Sequence, residues 1–303
     1  MFEVDYTFSE SFHLESGEVL SEVRLRATIY GQLNADRSNA VLVFHALTGS
    51  SRIGDWWNGI MCDGCALDTY EFAFVCVNYL GSAYGSTSAA TLKKRRAKGG
   101  KSELPIITLR DIVRSNVLIF DFLGIRKFRA VIGGSVGGML ALQFAVNYPE
   151  LADHCISIAA TPLSAMGLAL NHLQRQAIKQ NDLEMARKIA VVSYKLPRQF
   201  GTRFGRNPNR NGENPHTKLG DRFDIGGYLD HQGDAFHDRF EIESYDLITK
   251  AMDLFDLSDD DIGRITTKIS LIGISSDWLF PAADVRALKN RFVRHGVPRN
   301  QFG

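Results

Sequence analysis

Five short apolar runs recur along the chain, each closed by turn residues: Ala40 to Phe44 (AVLVF), Phe72 to Val77 (FAFVCV), Phe128 to Ile132 (FRAVI), Cys155 to Ala159 (CISIA) and Ile269 to Ile274 (ISLIGI). They are continuous rather than alternating, which is how strands covered on both faces read. Val23 to Ile29 (VRLRATI) alternates apolar and polar positions, the pattern of an edge or antiparallel strand. With helically spaced segments between them, the runs predict an α/β fold with a mostly parallel sheet. Thr108 stands three residues before Asp111, a capping-box spacing, and Ile112, Leu118, Ile119 and Phe122 follow as an apolar helical face. Gly124 is placed to stop that helix ahead of the Phe128 run.

From about Pro162 to Leu257 the strand-like runs disappear and amphipathic helical segments take over. The expected organisation is a core of residues 1–161 and 258–303 with a helical cap inserted over 162–257. Within the cap, Arg203 to Arg222 (RFGRNPNRNGENPHTKLGDR) reads as one long loop.

A 45% hydrophobic content over 303 residues supplies a full core and excludes a disordered or fibrous chain. Lys and Arg number 35 against 34 Asp and Glu, so the formal charge of +1 gives no general attraction to a polyanion. Nucleic acid and membrane surfaces are therefore not expected partners. No apolar stretch approaches the roughly 18 residues of a spanning helix, and MFEVDYTFSESF lacks a basic segment followed by an apolar run, so the expected location is cytoplasmic. Four cysteines are too few for a disulfide framework, and reduced thiols are expected. Cys62 and Cys65 form a C-x-x-C pair without the second ligand pair of a structural zinc, so no metal is expected.

The chemistry concentrates in Phe128 to Tyr148, FRAVIGGSVGGMLALQFAVNY, which reads as strand, Gly133-Gly134-Ser135-Val136-Gly137, then helix. In such an elbow a serine sits on a sharp strained turn, and glycines two positions either side let the strand and helix backbones approach. The spacing does not fit the G-x-G-x-x-G of a dinucleotide loop. A serine hydroxyl needs a base to take its proton and a carboxylate to orient that base. Asp277, just past the Ile269 to Ile274 strand, is the acid candidate; a turn-forming Asp is the plainer alternative. The loop after Ala40 to Phe44 (His45-Ala46-Leu47-Thr48-Gly49-Ser50) is placed to give an oxyanion donor, so the donors are assigned to the amides of Leu47 and Val136. His45 precedes the serine and ends a strand, which points to a structural role.

Together, HALTGSS, DWW, ALDTYEF, VNYLGSAYGSTS, ITLRDIV, GGSVGGMLAL, AMDLFDL and GISSDWLFP resemble the homoserine O-acetyltransferases and their serine- and succinyl-transferring relatives, a branch of the α/β-hydrolase fold. The resemblance runs from about Tyr30 to Val297. It implies a ping-pong transfer in which Ser135 takes an acyl group from acyl-CoA and L-homoserine removes it, with acetyl-CoA as a substrate and no tightly bound cofactor. It also implies Ser135 as nucleophile, Asp277 as orienting carboxylate, Leu47 and Val136 at the oxyanion hole, and a homodimer. A cap arginine grips the amino-acid carboxylate in this family; Arg206 matches best, Arg203 comes second, and a solvated loop arginine is the alternative. Tyr228 aligns with another cap motif, to which no role is attached. The resemblance leaves acetyl or succinyl donor, and homoserine or serine acceptor, open. Water as acceptor would make the same site an ester hydrolase, and a non-catalytic homologue is the reading from another class.

One departure stands out. The family's catalytic histidine lies in a Gly-His-Asp motif after a final strand, whereas here only His295 follows Asp277, in RFVRHG, which reads as a helix end. The expectation is of a truncated or frame-shifted product, or of a lost base, and in either case of impaired activity and an unpaired sheet edge.

Overall fold

The computed structural model describes residues 1–96 and 104–297, with backbone only for 93–96. Nine strands are present among the described residues: β1 (Phe2–Phe8), β2 (Phe12–His13), β3 (Val19–Leu20), β4 (Val23–Tyr30), β5 (Ala40–Phe44), β6 (Ala73–Val77), β7 (Ala130–Gly134), β8 (His154–Ile158) and β9 (Lys268–Ile272). Seven form one sheet in the order β1-β4-β6-β5-β7-β8-β9. The first two pairings are antiparallel, and from β6 onward every pairing is parallel. The continuous apolar runs are thus the parallel, doubly covered strands, while alternating β4 lies in the antiparallel part. It is an interior strand, because β1 extends the sheet beyond it.

The helices are α1 (Ala89–Arg96), α2 (Leu109–Phe122), α3 (Val136–Asn147), α4 (Ala165–Lys179), α5 (Leu183–Ser193), α6 (Pro197–Phe204), α7 (Asp224–His237), α8 (Ile242–Asp253), α9 (Asp259–Gly263) and α10 (Ala282–Arg294). Helix α2 begins where its capping box predicts: Thr108 Oγ1 accepts from the Asp111 amide at 3.1 Å while the Asp111 carboxylate accepts from the Thr108 amide at 3.1 Å. Gly124 ends it with φ +69°, in the left-handed region. The face it buries is Ile112, Val113, Ile119 and Phe120; Phe122 instead stays exposed beside the Tyr6 ring. Helix α3 is buried almost throughout, packed on β5, β7 and β8.

Between β8 and α9 the chain makes only helices and loops apart from an isolated bridge of Pro208 to Phe223, with α4 against α5 and α8, and α5 against α7. Part of the expected 203–222 loop is helix, since α6 runs to Phe204. The remainder is pinned by ion pairs of Arg222 with Glu213 and Asp230, and of Arg210 with Asp224 at 3.0 Å. The expectation of fully reduced thiols fails at one turn. Cys62 and Cys65 are joined by a disulfide, because Gly64 at φ +74° and a Cys65 amide donating to the Cys62 carbonyl at 3.0 Å fold the turn tightly, with Cα atoms 5.1 Å apart. Cys76 and Cys155 are buried and unpaired with each other. No described helix is long and apolar enough to cross a membrane.

The crossovers place the site. After β5 the chain moves to β6 on one side, then returns to β7 on the other. Connections that leave a parallel strand in opposite directions open a crevice at the carboxyl edge of the sheet. The loops after β5 and β7 meet there.

Candidate active site

Ser135 follows β7 and precedes α3 with φ +57° and ψ −127°. A non-glycine residue in this region costs about 1–3 kcal/mol and persists only where its surroundings enforce it. The surroundings here are glycines. A Cβ on Gly133 would lie 2.1 Å from the Gly137 carbonyl oxygen, and a Cβ on Gly137 would lie 2.3 Å from the Phe44 carbonyl oxygen. Neither distance admits an atom, so the G-x-S-x-G glycines let strand, helix and the end of β5 come together. Ser135 is anchored by its amide donating to the Ile158 carbonyl at 3.0 Å, and its own carbonyl accepts from the Met139 amide at 3.0 Å. Its hydroxyl is left half-buried and without a partner among the described residues.

The approach of Gly137 to Phe44 also brings the Phe44 and His45 carbonyls against the start of α3. The amide of Val136, first residue of α3, and the amide of Leu47 donate to no acceptor among the described residues. An unpaired amide at a helix start directly after a nucleophile can hold a developing negative oxygen.

His45 is fully buried. Its Nδ1 lies 2.8 Å from the Ala46 carbonyl oxygen, and its ring stacks on Tyr79 with centroids 3.7 Å apart. It makes no hydrogen bond to Ser135, so it is not placed as a base. Burial pushes its imidazole down from the ordinary 6.5 to about 4. The neighbouring Cys76 thiol and Tyr79 phenol are both pushed up by burial and carry no charge at neutral pH. The unfolded chain therefore binds a proton at His45 that the fold does not. Its contribution to stability is complete above the unfolded value and is lost as pH falls towards about 4, by up to about 3 kcal/mol. Urea midpoints followed from pH 7.5 to pH 4.5 should fall more steeply for the unaltered chain than for His45→Asn. Parallel curves would contradict this.

Asp277 lies five residues beyond β9, and its Oδ1 accepts from the amides of Leu279 and Phe280, both at 2.9 Å. Those bonds fix the carboxylate in the turn. Ser135 and Asp277 line the same cavity of about 270 Å³, and the structure thereby brings these two predicted residues together. Neighbours of Asp277 (Ile274, Ser276, Trp278, Leu279 and Phe280) line it too. The part that the sequence does not announce comes from Ser193 at the end of α5, the α5–α6 connection (Tyr194, Lys195, Leu196) and Gln199, tied to the Asp277 loop by the Trp278 indole N–H donating to the Lys195 carbonyl at 3.3 Å. A Leu-Pro step opening α6 was the local signal that the chain turns there.

Arg206 does not line this cavity. It is exposed, with its guanidinium 5.4 Å from the centre of the Phe223 ring. Arg203, also exposed, lies over Phe204 and Tyr228, at 5.0 and 4.8 Å. His295 caps the end of α10, as its His-Gly context predicts, and pairs with Asp259 at 3.2 Å. No histidine among the described residues is hydrogen-bonded to Ser135 or Asp277. No group of three or more His, Cys, Asp or Glu among them is placed to hold a metal ion.

The alpha/beta hydrolase fold family matches residues 39–297. The chain is 36% identical over 319 residues to a homoserine O-acetyltransferase of Moorella thermoacetica, covering 93% of this chain and 84% of that protein. Among solved structures it superposes on a homoserine O-acetyltransferase from Staphylococcus aureus with a TM-score of 0.76 at 29% identity, over 96% of this chain and 86% of the other. It also superposes on the esterase E22 with a TM-score of 0.85 at 20% identity, over 99% and 92%, a likeness of fold.

Proposed function

The chain belongs to the homoserine O-acetyltransferase family, an acyltransferase branch of the α/β-hydrolase fold, and from that premise we propose that it moves an acetyl group from acetyl-CoA to the hydroxyl of L-homoserine through an acyl-Ser135 intermediate. The observation that carries this reading is the strained elbow, which presents the Ser135 hydroxyl in one cavity with Asp277 while the amide of Val136, the next residue, is unpaired among the described residues.

In the first half-reaction Ser135 Oγ attacks the thioester carbonyl. A base removes the hydroxyl proton, the Val136 and Leu47 amides hold the oxyanion, and the C–S bond breaks as coenzyme A leaves as its thiol. In the second, the homoserine hydroxyl attacks the acyl-serine, its proton passes to the same base and returns to Ser135, and O-acetylhomoserine departs. Asp277 orients the base. The reading gives that base to no residue of 1–297, so residues 1–303 by themselves should turn over slowly. Residues 162–257 act as the lid that keeps water from the acyl-serine, and Arg206 receives the amino-acid carboxylate when the lid closes. The reaction belongs to amino-acid biosynthesis in the cytoplasm.

Product identity tests the reading. Incubation with acetyl-CoA and L-homoserine, followed by mass spectrometry of the small molecules, should yield O-acetylhomoserine in excess of free acetate. Acetate alone would make the protein an ester hydrolase, and O-acetylation of serine or transfer only from succinyl-CoA would reassign the substrates.

A further inference from the structure

We propose that His45 is a positioning residue of the oxyanion hole: its Nδ1–H holds the Ala46 carbonyl and so turns the Leu47 amide outward, free to donate to the acyl oxygen. This rests on the reading of Ser135 and Leu47 given above.

Ala46 C=O and Leu47 N–H belong to one planar trans unit, since the described chain has no cis peptide, and in such a unit the two groups point in opposite directions. Whatever fixes the carbonyl fixes the amide. The Ala46 oxygen is held twice, by the Gly49 amide at 2.9 Å and by His45 Nδ1 at 2.8 Å. The Gly49 bond closes a tight turn. The His45 bond selects which way its first peptide faces.

The tautomer follows from the same geometry. A carbonyl oxygen only accepts, so Nδ1 must carry the proton. Nε2 is buried without a partner; as a bare lone pair it leaves no buried donor unsatisfied, whereas a proton there would leave one and set two acceptors against each other at Nδ1. The ring cannot swing away. Tyr79 stacks on it, and the Tyr79 hydroxyl donates to the His45 carbonyl at 2.5 Å, so one residue braces both the ring and its backbone. That carbonyl lies 2.9 Å from where a Cβ on Gly137 would stand, next to the second donor, Val136.

The test is the acylation rate of Ser135 by p-nitrophenyl acetate, an activated ester, in the chain extended through a final strand with a Gly-His-Asp segment so that the base is present, read from the first turnover of p-nitrophenolate release. His45→Phe keeps a flat ring against Tyr79 but has no donor, and should acylate about tenfold to a hundredfold more slowly. His45→Asn places an N–H near the Nδ1 position and should recover to within about threefold. A ring with only a packing role would not be rescued by the smaller Asn. Equal acylation by the extended chain with and without His45→Phe would overturn the inference while leaving acyl-Ser135 standing; no acylation of Ser135 in the extended chain that keeps His45 would overturn the functional reading itself. Nitrogen-15 shifts of the His45 ring in the unaltered protein provide a second measurement, independent of how the variants fold. The Nδ1–H tautomer at pH 7 is expected, and the Nε2–H tautomer would refute the proposal.

Discussion

Extending the 303-residue chain through a further strand that ends in a Gly-His-Asp segment should raise acetyl transfer to homoserine by at least about 10³-fold, because a positioned base contributes that order to a serine nucleophile and acts with it as a unit. The physical reason lies at Ser135 and Asp277. The serine is presented and the carboxylate is fixed by two amides, yet no imidazole among the described residues bonds to either. His295 is held by Asp259 at the far end of α10 and cannot serve. The same extension should also stabilise the fold. Strand β9 is the last in the sheet order, and Ile272 and Ile274 are each 45% exposed near its end. A strand laid against that edge would bury both, and the thermal midpoint should rise. Unchanged rates in a well-folded extended chain would show that the base comes from elsewhere.

Ser135→Ala in that extended chain should return transfer to the level of the unextended one. In the unextended chain the same substitution should change little. Groups that act as a unit do not contribute separately: a nucleophile without its base and a base without its nucleophile are both left with oxyanion-hole and binding effects. Independent, multiplying losses would contradict the shared mechanism. Comparing initial rates for the four forms decides between these outcomes.

Much of the fold was legible because its strands are local in origin. Ala40 to Phe44 coincides with β5, and the other parallel strands shift by at most two residues at either end. Such runs read clearly since both faces are covered. Strand β1 was missed although Phe2, Val4, Tyr6 and Phe8 alternate with polar residues, because none of those side chains is fully buried and the signal is diluted by exposure. The serine elbow was legible for a different reason: its glycines answer to backbone clashes that no other residue relieves, and the distances at Gly133 and Gly137 are those clashes.

The rest depended on contacts distant in sequence. Nothing local in Ser193 to Gln199 says that it will cover Asp277; that follows from how the helices after β8 pack onto the 274–280 loop. The Cys62–Cys65 turn needed the left-handed Gly64 to bring its sulfurs together. Arg206 stands on the surface because its charge finds water and the Phe223 ring there. His45 was read as structural from its position, but which nitrogen it uses required the Ala46 carbonyl 2.8 Å away.

The central claim is that the hydroxyl of Ser135 becomes esterified. Mass spectrometry of peptides from the extended chain, quenched in acid after exposure to acetyl-CoA without homoserine, tests it most directly. An acetyl group on the peptide containing Ser135, lost on adding homoserine and absent from Ser135→Ala, is the predicted result. An acetyl group elsewhere, or one that survives the substitution, would contradict it.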